Sequence, residues 1–426
     1  MSEGKNRKES AMKKILAIIG GGASGLAAAI EAARYCKEHN EDVEINIYER
    51  LPKAGKKILA TGNGRCNIMN KSTDLKYYHG DNKFIKTVFN NYPYESNAEF
   101  FRSMGIYLAE EADGRLYPLS FQATSVLDAL RFEAEHLNIN IICDTKIESI
   151  KKSANGYLLN NSVYADAVIV AGGGKSASVQ GSDGSAFTLL ASLGIKIKTV
   201  FPSLTGIMLK KKNKTLKGVR AKGEIYVVEN GTVIASSEGE LQYTDYGISG
   251  IPSMEVSRAV SEHFACHRKG KIAVVINSLP SFTPDEIFAY ITERKKHNPD
   301  LLCEDLLSGV MPKKLAVAKL SAASISTTAI ASTLTKNNIA FLTEVISSEI
   351  SEVSGVLGFE NSQVTAGGAD TKQFEAETMH SKNCKGIFAC GEVLDVDAIC
   401  GGYNLAWAWS SGRCAGVNAV KYLTEK

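Results

Sequence analysis

The chain has no run of 18 or more apolar residues, so nothing in its 426 positions reads as a membrane-spanning helix. It has no CxxC pair, which removes the sequence support for a zinc site or a thioredoxin-like centre. Its nine cysteines are odd in number and irregularly spaced, unlike a secreted disulfide framework. The seven histidines lack metal-ligand spacing. The nearest approach is His263/His267 on an expected helix, read as a surface helix face. An excess of one charge is also missing: 49 basic residues against 46 acidic leave a net +3, which argues against a nucleic-acid partner. Residues 1–12, MSEGKNRKESAM, have neither the apolar core nor the cleavage site of a signal peptide. They are expected to form a flexible tail, with Met12 as an alternative start. These absences leave a cytoplasmic protein acting on a small molecule, with no metal and no membrane partner; its oligomeric state is open.

What is present is a nucleotide site. Hydrophobic residues make up 44% and charged residues 22%, ordinary globular usage, and the length calls for at least two domains. An apolar run, Ile15–Ile19, leads into Gly20-Gly21-Gly22-Ala23-Ser24-Gly25, and a helical pattern follows. This is GxGxxG between strand and helix, the context that gives the motif meaning. Gly20 serves the tight turn, Gly22 lets the backbone approach a pyrophosphate, and Gly25 lets the helix pack on the strand. The free amides of Ala23, Ser24 and their neighbours face the phosphates. A second strand, 43–48, ends in Glu49-Arg50, where an acid bonds the ribose hydroxyls. The segment KAGKKILATGNGRCN (53–67) breaks the βαβ pattern and suits a loop that follows an extended cofactor towards its redox end.

Beyond this point the sequence resembles a bacterial flavoprotein family that includes bile-acid-inducible enone reductases and aminoacetone oxidases. The resemblance rests on GGGASGLAAAI, GKKILATGNGRCN (55–67), ADAVIVAGGG (165–174), GSDG (181–184), ELQYTDYGISG (240–250), QVTAGGAD (363–370) and GIFACGEVLDVDAICGGYNLAWAWSSGRCAG (386–416). It implies an α/β fold: a two-dinucleotide-binding-type FAD domain, Rossmann-like, with an inserted β-barrel and a helical subdomain. The implied FAD contacts include Ala23, Glu49, Arg50, Lys57, Gly64, Arg65, Gly391, Glu392, Asn404 and Leu405. Ile147, placed by position in the third strand, would lie near the adenine through its backbone. Gly401-Gly402-Tyr403-Asn404 opens a helix whose dipole and free amides would stabilise an anionic reduced flavin.

Residues 13–194 and 359–426 are expected to form the FAD domain, 195–280 and 349–358 the barrel, and 281–348 the helical subdomain. Within the insert, Asn230-Gly231 between β-prone runs predicts a hairpin. Thr283-Pro284-Asp285-Glu286 predicts a capping box. The run KKKNKTLKGVRAK (210–222) carries seven basic residues and reads as a solvated hairpin, or as a patch attracting a phosphate-bearing coenzyme A ester or nicotinamide. Cys66 and Cys400 sit in glycine-rich segments, but nothing in the spacing pairs them.

The chemistry follows from the flavin, which carries the hydride. No second GxGxxG follows a strand, so NADH or NADPH as electron donor would dock transiently. The first expectation is reduction of an enone in a steroid or other apolar ring, with Tyr246 or Tyr403 as candidate to polarise the carbonyl or supply the proton. The second is oxidation of a small amino ketone such as aminoacetone. The third is a flavin-binding protein with a non-catalytic role.

Overall fold

The computed structural model describes residues 13–425; the expected tail, 1–12, lies outside the described residues. The chain divides into two compact units. The described residues up to Lys198 together with those from Gly367 onward form one, and Thr199–Ala366 forms the other.

The first unit is built on a five-stranded sheet in the order 387–389, 167–170, 14–19, 43–48, 140–142, parallel throughout. Strands Lys14–Ile19 and Ala167–Val170 are apolar because both faces are covered: Leu16, Ala17, Ile18 and all of 167–170 are fully buried. A small antiparallel sheet, 150–152, 157–159 and 163–165, precedes the strand 167–170.

Two helices lie together in this unit, Ala23–His39 and Tyr403–Thr424. A Cβ on Gly412 would collide with the Ser24 carbonyl, and one on Gly416 with that of Ala28. The i,i+4 glycines therefore let the backbones approach closely. The C-terminal helix buries 15 of its 22 residues, more than the one-sided burial of an amphipathic helix.

The second unit holds a closed six-stranded barrel in the order 207–209, 247–249, 232–243, 220–229, 272–277, 349–356. Asn230 (φ 51°) and Gly231 (φ 84°) turn the hairpin between Glu229 and Thr232, with the two left-handed residues of a type I′ turn. Residues 197–203 form a strand, but it is not one of the barrel's six; the expected barrel boundary at 195 is corrected to about 207. Helices Pro284–His297, Lys313–Ala322 and Lys336–Ser347 pack with the barrel in one apolar core. The Thr283/Glu286 capping box is formed in both directions.

Two further expectations fall differently. His263 is not on a surface face: it is 6% exposed and its Nδ1 lies 2.6 Å from Glu229 Oε1. His267 lies past the end of helix Ile251–Ala265, so the pair shares no helix face. Among the described residues no cluster could hold a metal ion, and no helix is long and apolar enough to cross a membrane.

Candidate functional site

The glycine-rich turn sets the geometry. Gly20 has φ +105°, and a Cβ there would lie 2.6 Å from the Ala171 carbonyl oxygen. A Cβ on Gly25 would strike the Gly20 carbonyl. Around Gly22 nothing lies within 4 Å of the Cβ position, so this glycine fronts open space rather than protein. No side chain caps the helix that starts at Ala23. Its first amides, those of Ala23, Ser24 and Gly25, are left for an anion at that opening.

Glu49 follows its strand as expected, 8% exposed. Its carboxylate accepts from the Gly21 N–H at 2.9 Å and from the Leu51 N–H at 2.8 Å. The acid thus braces the turn, and each oxygen retains a lone pair for a ribose hydroxyl. Arg50 donates to the carbonyls of Gly181 (2.9 Å) and Ser178 (2.6 Å) and lies 3.4 Å from Asp183. Burial raises the Asp183 pKa, but the Ser185 donors, Arg50 and Lys146 outweigh it and hold the carboxyl below its usual value. GSDG is therefore tied to the end of the second strand.

Residues far apart in sequence converge at the other end. Lys57 Nζ lies 2.8 Å from Glu392 Oε2, across 335 positions. Gly391 donates to Ser411 Oγ (2.9 Å) and accepts from the Trp407 indole (3.1 Å), so the turn after strand 387–389 is fixed to the C-terminal helix. Ser24 Oγ reaches the Cys390 carbonyl at 3.5 Å. With its amide oriented to donate to the Leu116 and Met69 carbonyls, Asn67 accepts from the Gly402 N–H at 3.1 Å. GNGRCN is thereby locked to GGYN. Gly64 (φ +83°) has open space at its Cβ position. Arg65 pairs with Glu111 at 3.0 Å and lies over the rings of Tyr117 and Phe121.

At the head of the C-terminal helix, the Asn404 amide donates to the carbonyls of Ala398 and Ile399 and accepts from the Ala398 N–H. Its side chain is committed to the preceding strand, and what Asn404 and Leu405 present at the uncapped helix start is main-chain N–H. Tyr403 stacks on Tyr77 at 4.7 Å and meets Tyr78 edge-on at 5.7 Å. Burial pushes its phenol up to about 12, with Tyr77 adding and Arg115 opposing.

Two expected residues fall elsewhere. Ile147 is buried but is not on the third strand of the parallel sheet, which ends at Ile142; it lies in the irregular stretch before Ile150. Tyr246 belongs to the barrel unit, where its ring packs over Gly206. The cysteines are all free, and burial raises the Cys66 thiol to about 11. Sequence reading missed Tyr77, Tyr78 and Asp183; the KYYHG and GSDG stretches carried the signal, but only folding shows what they touch.

Residues 14–418 match the family described as HI0933-like protein Rossmann domain. The chain belongs to this family. Its relatives include a 3-dehydro-bile acid delta(4,6)-reductase from Clostridium scindens, 36% identical over 95% of this chain and 99% of that protein. A ribosomal RNA dihydrouridine synthase from Haemophilus influenzae is 26% identical over 93% of this chain and 96% of that protein; one from Escherichia coli is 25% identical over the same shares. Among solved structures, 3-ketosteroid delta1-dehydrogenase from Sterolibacterium denitrificans shares the fold at TM-score 0.50 and 11% identity, covering 95% of this chain and 99% of that one. This HI0933-like protein is an FAD-dependent oxidoreductase with a Rossmann-like α/β fold. The open cradle at Gly22 and Gly64 and the uncapped helix starts fit a dinucleotide with a flavin.

Proposed function

We propose that this enzyme reduces a carbon–carbon double bond conjugated to a ketone in an apolar ring, of the 3-oxo-Δ4 steroid or bile-acid type. The observation that carries this reading is the 36% identity, along almost the whole of both chains, to a bile-acid delta(4,6)-reductase. The names of the more distant relatives agree with it chemically. Making dihydrouridine saturates a ring C=C conjugated to a carbonyl, and so does reducing an enone.

The proposed FAD contacts are Gly20, Gly22, Ala23, Ser24 and Gly25 at the pyrophosphate and Glu49 and Arg50 at the adenosine, with the Ile147 backbone near the adenine. Lys57, Gly64, Arg65, Gly391, Glu392, Asn404 and Leu405 follow along the ribityl and ring. When bound and reduced, the flavin supplies hydride to the β-carbon. The chain's part is to hold and protonate. Asn404, by gripping Ala398, fixes the helix start whose amides favour negative charge. Tyr403 keeps its proton well above neutral pH, so its hydroxyl arrives protonated for donation to the α-carbon. NADH or NADPH is the proposed electron source.

A second reading, reduction of uracil within ribosomal RNA, is favoured by the two dihydrouridine synthase relatives. Anaerobic stopped-flow absorbance at the flavin band separates the readings. Bleaching by NADH or NADPH, reversed by a 3-oxo-Δ4 bile acid, supports the reductase. Reversal only by a uridine-bearing rRNA fragment moves the substrate to RNA. Bleaching by aminoacetone alone, reversed by oxygen, overturns both in favour of an amine oxidase.

A further inference from the structure

The barrel unit contains a cavity of about 690 Å³, and none of its lining residues is a proposed flavin contact. It opens between the basic loop after strand 207–209, the start of strand 349–356 and the helices 313–322 and 336–347. Its size lies within the range of small-molecule pockets, roughly 300–1,000 Å³.

Two features of its lining are independent of one another. The first is apolar surface that folding did not cover: Phe341 is 47% and Ile350 72% exposed, and both line the cavity, with Leu209, Leu315 and Val345 deeper in. Ile350 sits on a barrel strand, paired with Val275, where an outward isoleucine gains nothing from water. The second is charge. Lys210 is paired with Glu352 at 3.0 Å. Lys319, 1% exposed, is held by Glu349 at 2.6 Å and by the Val345 carbonyl at 3.1 Å. Lys211 and Lys212 also line the cavity and are exposed; neither forms a direct ion pair among the described residues, although Lys212 lies near Asp245, whose carboxylate is already held by Lys217 at 2.7 Å. Glu344 is the remaining acid in the lining. The balance leaves one positive charge at an apolar mouth.

We propose that this cavity is a second ligand site, for an anionic amphiphile: an apolar body that ends in a single carboxylate. The body covers Phe341 and Ile350, and the carboxylate meets Lys211 and Lys212. The three glutamates in the lining disfavour a diphosphate or a dinucleotide, whose several negative charges would face them. A neutral apolar ligand would leave the net positive charge of the lining unanswered. The buried Lys319–Glu349 pair has a positioning part, tying helix 313–322 to the start of strand 349–356 at the cavity's inner wall. The site lies wholly within Thr199–Ala366 and stands whether or not the enone reading does.

Equilibrium dialysis of the flavin-loaded oxidised protein tests this with decanoate, deoxycholate and decanol, each below its aggregation limit. Decanoate or deoxycholate should bind saturably with one equivalent, and decanol about tenfold or more weaker. Decanoate alone would identify the body as an acyl chain, deoxycholate alone as a fused ring; either supports the site. The double variant Lys211→Glu/Lys212→Glu, on an exposed loop, should weaken carboxylate binding at least about tenfold while flavin absorbance and Tm stay as in the parent. Ala318→Trp, which fills the cavity, should remove binding, and if it fails to fold the loop variant decides alone. The proposal is overturned if neither carboxylate binds saturably, if decanol binds as tightly, or if the loop variant leaves binding unchanged.

Discussion

Gly20 and Gly22 are two positions apart and should fail in different ways when given a side chain. At Gly20 a Cβ lies 2.6 Å from the Ala171 oxygen, and φ is +105°, so Gly20→Ala strains the protein itself. A cost of about 1–3 kcal/mol should lower Tm with or without flavin. At Gly22 the Cβ enters open space, so Gly22→Val should fold normally and lose FAD. Thermal melts together with the 450/280 nm absorbance ratio separate the two. A yellow, fully occupied Gly22→Val protein would mean that the pyrophosphate does not sit at this turn. The Lys57–Glu392 pair makes a similar argument from charge. Its side chains are only 26% and 22% exposed, so the desolvation cost offsets most of the attraction and the pair itself contributes little net stability. Lys57→Met should therefore leave Tm almost unchanged while weakening FAD retention several-fold, measured by flavin release on dilution. A fall in Tm with undiminished retention would make the lysine a structural residue only.

Elements differ in how much of themselves the sequence declares. The Thr283 cap is local: Thr283→Ala removes a bond to the Glu286 N–H and should cost about 1 kcal/mol. The faster exchange should be confined to the amides at the start of 284–297 by hydrogen-exchange mass spectrometry. Gly416 is the opposite case, because its need for no side chain comes from Ala28, nearly 400 positions away. Gly416→Leu pushes the two helices apart and should destabilise by about 3 kcal/mol or more, with loss of flavin as the Ser24–Cys390 approach opens. The same division explains what could be read in advance. The glycine-rich turn, Asn230-Gly231 and the capping box follow from residues within a few positions of one another. Ile147 was misplaced because a short edge strand, 140–142, has no pattern to mark its end. His263 was misread because nothing near it in sequence announces Glu229 as its partner. The convergence of Lys57 with Glu392, and of Asn67 with Gly402, was legible only as two motifs belonging to one family, never as contacts.

For the molecule as a whole, burial of weak acids sets the alkaline limit. The thiols of Cys36 and Cys66 are raised to about 11, and those of Cys390 and Cys414 to about 12, against an ordinary 9.0. The phenols of Tyr243 and Tyr403 are raised to about 12 against 10.0, and Tyr78 and Tyr92 move in the same direction. Desolvation leads in every case. Between the ordinary and the raised values the unfolded chain has lost protons that the folded chain still binds, so stability falls as pH rises. The loss begins near pH 9 with the thiols, grows past pH 10 as the phenols join, and is complete only above about 12. Tm should therefore be flat from pH 7 to about 8.5 and then drop ever more steeply. Phenolate absorbance at 295 nm should rise in step with unfolding rather than ahead of it. Thiol labelling at pH 8 should reach the exposed Cys266 first and the half-buried Cys143, Cys384 and Cys400 more slowly. The five buried thiols should react only when the fold opens. If those five titrate near pH 9 while Tm holds, the packing that buries them, including that of Cys414 against the Glu377 carbonyl, opens in the folded protein and does not set the alkaline limit.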